Sequence, residues 1–160
     1  MNEILQSQQY LSFRVNDQTL GVDILKVKEI VESGRVTTVP MMQTSIRGVI
    51  NLRGSVVPVL DLSARFEQGP CEANARTCIV IIEQSTMADH QLIGLMVDAV
   101  NAVMDVSPEQ ISPPPQFGAG IQSDFISGIA KMGDDFILLL HIDSLCNFSI
   151  ELKAQTEQFG

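Results

Sequence analysis

Few side chains in this chain are equipped for chemistry: two histidines, three cysteines and the adjacent carboxylates of Asp134 and Asp135. His90 stands in a polar stretch between two strand-like segments, and His141 ends the apolar run at 136–140. Metal-ligand spacing surrounds neither, and a structural role is expected for His141. Cys78 and Cys146 lie among apolar residues and read as small buried hydrophobes, whereas Cys71 falls in a polar stretch and reads as an exposed thiol. Asp134-Asp135 fits hairpin-turn chemistry and lacks a third ligand. There is no Gly-x-Ser-x-Gly elbow, phosphate-cradling glycine loop or HExxH. The sequence thus argues for no enzyme, no metal and no cofactor. What remains is Asn51-Leu52-Arg53-Gly54, together with Glu29. Gly54 is expected to supply a positive φ at a hairpin tip, which projects Arg53 as a planar donor fork from a rigid turn. A lone turn arginine is more often just a solvated charge, and spacing alone favours that reading.

The elements that must position these residues occur twice. Shifted by 80 positions without a gap, residues 46–66 overlie residues 126–146. Ile46 meets Ile126, Gly48 meets Gly128 and Leu60 meets Leu140, and apolar residues meet at 49/129, 50/130, 52/132, 56/136, 57/137, 59/139 and 62/142. Both copies read as strand, turn, strand and short helical turn. The copies part at the turn: Leu52-Arg53-Gly54-Ser55 in one, Met132-Gly133-Asp134-Asp135 in the other. Leu20-Gly21-Val22 is similarly echoed by Ile93-Gly94-Leu95.

The rest reads as short strands. They are expected at 10–15, 20–24, 77–83, 92–97 and 99–106, with the hairpin 49–53/56–60. Residues 25–31 suit a helix face or a bent strand; their brevity and β-branching favour a strand with a helical turn near 24–27. Thr37 onward is a strand end closed by Pro40, 43–47 is a short connection and 84–91 is a polar loop. Residues 67–76 read as a linker, and Pro113, Pro114 and Pro115 force an extended path. The expected fold is all-β: a single domain at 9–147 made of two intertwined five-stranded barrels on a shared aliphatic core, the first roughly over 9–66 and the second roughly over 77–147, with short helical turns and a tail at 148–160. Val49, Val57, Val59 and Leu60, with Ile129, Ile137, Leu139 and Leu140, are expected to supply much of the seam.

Trp is absent and apolar residues make up 45% of the chain, so the core must be aliphatic. No apolar run is long enough to span a bilayer, and the first residues lack the basic start of a signal peptide. Three cysteines argue against a disulfide framework and for a reduced, cytoplasmic protein. The net charge of −9 is uneven: residues 1–76 hold eight Lys/Arg and eight Asp/Glu, residues 77–160 two and eleven. An acidic surface disfavours nucleic acid. The asymmetry fits either simple solubility or two electrostatically different faces.

Over residues 9–147 the sequence resembles the CheW family of bacterial chemotaxis coupling proteins. The resemblance rests on Gly21-Val22-Asp23-Ile24, Val27-Lys28-Glu29-Ile30, Arg47-Gly48-Val49-Ile50-Asn51-Leu52-Arg53-Gly54 and Val57-Pro58-Val59-Leu60-Asp61-Leu62, then Gly94-Leu95-Met96-Val97-Asp98 and Phe125-Ile126-Ser127-Gly128. It implies two five-stranded SH3-like barrels and a non-enzymatic adaptor, located at receptor arrays beneath the inner membrane without inserting into it. The implied partners are the cytoplasmic tips of methyl-accepting chemoreceptors and the regulatory domain of the histidine kinase CheA. Ile24, Val27, Glu29, Asn51, Leu52 and Arg53 fall at receptor-facing positions. Glu29 and Arg53 are expected to pair, either to fix this surface or as a purely structural pair. The kinase contacts stay unassigned. A like-folded adaptor of another receptor–kinase pathway, such as surface motility, is the alternative. The family often has Asp where His141 stands.

Overall fold

The computed structural model describes residues 8–38, 45–85, 90–114 and 123–146. The expectations for Pro40, Pro115 and the tail at 148–160 lie outside these residues, as do 86–89 of the expected 84–91 loop; Gln84, Ser85, His90 and Gln91 are not loop but extend two paired strands. The strands are β1 (Gln8–Val15), β2 (Gln18–Asp23), β3 (Val27–Glu32), β4 (Ile46–Leu52), β5 (Ser55–Asp61), β6 (Cys78–Ser85), β7 (His90–Val97), β8 (Ala99–Val106), β9 (Ile111–Ser112), β10 (Ile126–Met132) and β11 (Asp135–Leu140). Single helical turns, α1 (Leu62–Arg65) and α2 (Ile142–Leu145), follow β5 and β11. A 3-10 turn at Ile24–Lys26 precedes β3, which settles the ambiguous segment as helical turn plus strand.

The strands form two mixed sheets, ordered β3-β6-β7-β5-β4 and β8-β1-β2-β11-β10-β9. This is the all-β, two-barrel architecture. The two-residue β9 pairs Ser112 with Ile129, and its counterpart in the first copy is the single bridge from Thr37 to Val49. Both copies also carry a register shift at the same place, between Ile46 and Gly48 and between Ile126 and Gly128. A side chain cannot be added there: a Cβ on Gly48 would overlap the Thr37 carbonyl.

The barrels intertwine as expected, but their strands do not divide at the bounds 9–66 and 77–147. Each combines a hairpin from one repeat with further strands from the other: β6–β7 join β3, β4 and β5, while β1–β2 join β8, β10 and β11, with the short β9 at the edge. Parallel pairs seal the exchange, with Gly94 opposite Val59 and Gly21 opposite Leu139, equivalent positions in the two copies. Glycine recurs there because space is short; a Cβ on Gly94 would lie 2.6 Å from Ile79 Cγ2 and one on Gly21 3.2 Å from Leu139 Cδ2.

Strand alternation then divides the aliphatic side chains into three clusters. Ile50, Val57, Val59, Ile79 and Ile81 fill one barrel; Val106, Ala130, Ile137 and Leu139 fill the other. Between them lies the largest cluster, where Phe13, Leu20, Val80, Leu95, Leu60 and Leu140 meet. The expected seam is corrected accordingly: Leu60 and Leu140 belong to it and Ile129 packs against it, whereas Val57, Val59, Ile137 and Leu139 point into their own barrels and Val49 is only half-buried, outside all three clusters. Neighbours along a strand face opposite ways, so no strand could offer its whole apolar run to one seam.

The linker is likewise tied down. Cys71 is buried, because its N–H donates to Asp61 Oδ2 at 2.8 Å, its carbonyl accepts from Arg47 at 2.9 Å and its thiol donates to Asp98 at 3.3 Å. Burial, then the bond to Asp98, pushes this thiol up to about 12. Cys146 is buried as expected and is pushed up to about 12 by burial, while Cys78 is only half-buried.

Candidate partner-docking surface

The β4–β5 hairpin turns on two residues, and both adopt positive φ: Arg53 at 52° and Gly54 at 89°. This is the turn whose twist matches the flanking strands, and it normally uses Asn or Gly at the first position. The second copy meets the same need conventionally, with Gly133 (φ 65°) where Arg53 stands in the first. Asn51 reinforces the tip by accepting from the Gly54 N–H through Oδ1 at 2.9 Å. Arg35 donates to the Asn51 carbonyl at 3.3 Å.

Arg53 then reaches from the tip to β3, where its Nη1 lies 2.9 Å from Glu29 Oε1. The Arg53 side chain is 76% exposed, so solvent screens the pair and its worth to stability is small. What the contact does is hold the guanidinium in one place. The expected ion pair is therefore present, and it joins two strands that are not neighbours in the sheet.

Of the other expected site residues, Asn51 lies exposed beside the tip. Leu52 is buried in the barrel interior and supports the turn from beneath. Ile24 and Val27 are half-buried, resting on the central cluster. The exposed apolar side chains of these segments are instead Leu25, Ile30 and Val56 at 80%, 44% and 70%, none of them singled out from sequence. Val56 pairs directly with Asn51 across the hairpin. Its signal was an apolar residue at an outward strand position, which the repeat also shows at Phe136, 60% exposed. Ile30 and Val103 likewise occupy β3 and β8, matching strands of the two sheets, and both are exposed.

His141 has a structural place. It caps α2, with Nδ1 accepting from the Ser144 N–H at 3.2 Å, as Asp61 caps α1 through the Ala64 N–H at 3.3 Å. The departure from Asp thus preserves the acceptor the helical turn needs. Among the described residues no group of three or more His, Cys, Asp or Glu side chains could hold a metal ion. No helix among them is long and apolar enough to cross a membrane.

Sorted by sheet, charge is as uneven as along the chain. Described residues 24–38, 45–85 and 90–97 hold seven Lys/Arg and six Asp/Glu; residues 8–23, 98–114 and 123–146 hold two and nine. One barrel is near neutral and carries Arg53, and the other is strongly acidic.

Two unlike barrels on one core, offering apolar and charged patches, define a binding scaffold. The family model for the CheW-like domain matches residues 9–148. The chain belongs to the CheW family. It is similar to chemotaxis protein CheW of Klebsiella aerogenes, at 31% identity over 86% of this chain and 81% of that one. The probable chemotaxis protein CheW of Rhizobium etli is 33% identical over 86% of each chain. Protein FrzA of Myxococcus xanthus is 28% identical over 94% of this chain and 89% of its own. The crystal structure of the scaffolding protein TtCheW from Thermoanaerobacter tengcongensis superimposes with a TM-score of 0.78, at 34% identity over 87% of each chain. This is a chemotaxis scaffold of the CheW type.

Proposed function

We propose that this protein is a non-enzymatic coupling adaptor joining the cytoplasmic tips of methyl-accepting chemoreceptors to the regulatory domain of the histidine kinase CheA. It would act in the cytoplasm, at receptor arrays. The adaptor body is the single domain at 9–147, and 148–160 is its tail. The Glu29–Arg53 clamp is the observation that carries this reading, because an arginine stands where the turn would accept glycine. Backbone strain retained at an exposed, rigid tip marks a contact surface. The receptor-facing patch comprises Glu29, Asn51 and Arg53, with Ile24 and Val27 behind it and Leu52 beneath. The near-neutral barrel suits docking of an apolar helix, with charged groups as rim.

A receptor alters the kinase through this body only if its signalling states bind the patch differently. Many copies acting together allow each contact to be weak. A second reading, an adaptor of another receptor–kinase pathway, is kept alive by the likeness to FrzA across 94% of the chain. Titration against the CheA regulatory domain and a receptor-tip fragment tests both. The coupling reading expects binding to each, with Arg53→Gly weakening only the receptor fragment. Absence of binding to either at high micromolar concentration would sink it.

A further inference from the structure

The two helical turns are capped by different chemistry. Asp61 caps α1 with a buried carboxylate, a group that when ionised can only accept. The same carboxylate is tied down by Arg47 and the Cys71 N–H. The shift of 80 puts His141 in its place at α2, where the side chain is exposed. Its Nδ1 accepts from the Ser144 N–H at 3.2 Å and lies 2.8 Å from Ser144 Oγ. Only a neutral ring with its proton on Nε2 can make this cap.

We propose that His141 is a proton-released cap: neutral, it holds the first turn of α2, and as imidazolium it lets that turn go, while α1 stays capped. Both nitrogens of an imidazolium are donors, so Nδ1–H would then face the Ser144 N–H, donor against donor. Imidazole is the side chain whose ordinary titration falls between pH 5 and 8. The groups that face this ring come from several elements. Asp143 stands on α2 itself, and Tyr10 of β1, Asp23 at the end of β2 and Lys26 of the following 3-10 turn share with it a groove of about 200 Å3. Asp124 lies in the adjoining 3-10 turn Ser123–Phe125. A released imidazolium thus meets carboxylates on three elements against the single ammonium of Lys26.

Release is confined to one end of the turn. Ile142 and Leu145 are buried in the central cluster, and Arg65 of α1 donates to the Leu145 carbonyl at 3.0 Å. The His141 N–H donates to the Phe125 carbonyl at 2.8 Å, a bond that protonation of the ring leaves intact. Because His141, Ile142 and Asp143 line the groove, acid changes the shape of the groove and not the fold.

Amide spectra of the full chain between pH 8 and 5.5 test this, in a His90→Gln background that leaves His141 the one histidine to titrate. The Ser144 amide proton is expected to move upfield in step with the His141 ring signals, while the Ala64 amide stays fixed. With His141→Asp added, the Ser144 amide should stay fixed as well, and at pH 5.5 it should exchange about fivefold more slowly than with His141, the size of one cap. A Ser144 amide that ignores the His141 titration, or that moves alike with His141→Asp, would overturn the proposal. So would equal movement of Ala64, which would make the change a property of the whole fold.

Discussion

At the scale of single residues, Arg53 shows best how chemistry and conformation oppose each other. A non-glycine residue in the left-handed region costs about 1–2 kcal/mol. An exposed ion pair returns at most ~1 kcal/mol. Stability alone would favour glycine, which the second copy has. Arg53→Gly is therefore expected to leave the unfolding midpoint unchanged or raise it, by up to ~1 kcal/mol, in urea titrations. Arg53→Ala keeps the strained backbone, loses the pair and should unfold slightly earlier. A large loss of stability in Arg53→Gly would make Arg53 a structural residue. At the cap, His141→Ala should cost about 1 kcal/mol, and His141→Asp should cost less by restoring an acceptor. The buried thiols give a pH dependence of known sign. Cys71 and Cys146 are raised from 9.0 to about 12 when folded. Their stabilisation is complete below the unfolded value and is lost between about pH 9 and 12, so the urea midpoint should fall over that range. The Glu29–Arg53 pair could be anticipated from family positions. The conformation of Arg53 could not, because nothing in the residue type predicts positive φ. Cys71 was misplaced because three separate elements fix it, and local polarity pointed outward.

At the scale of elements, hairpins and turns were legible because their signals are local. Alternation, an 80-residue echo and turn residues located β4–β5 and β10–β11 and even the 3-10 turn before β3. Which strands the barrels exchange was not legible, since it depends on parallel pairs between distant strands, β2 with β11 and β5 with β7. Glycine marks those pairs. Gly94→Ala would drive a methyl into Ile79 and is expected to cost about 1–3 kcal/mol. Gly34→Ala, which meets open space, should stay within ~0.5 kcal/mol of the parent. Equal effects in chemical denaturation would contradict the packing reason given for Gly94.

At the scale of the molecule, the exchange makes the barrels interdependent. Neither can close without a hairpin from the other repeat, and the largest cluster belongs to both. Unfolding should be a single transition: near-UV signals of Tyr10, the one tyrosine, should coincide with far-UV circular dichroism. A stiff body of this kind can keep two partners at fixed separation, with near-neutral and acidic barrels available to different surfaces. Coupling requires that both partners be bound at once. The most direct measurement is titration of the CheA regulatory domain into this protein, alone and with the receptor-tip fragment saturating. A ternary complex with nearly unchanged kinase-domain affinity is predicted, whereas mutual displacement of the two partners would contradict the coupling account.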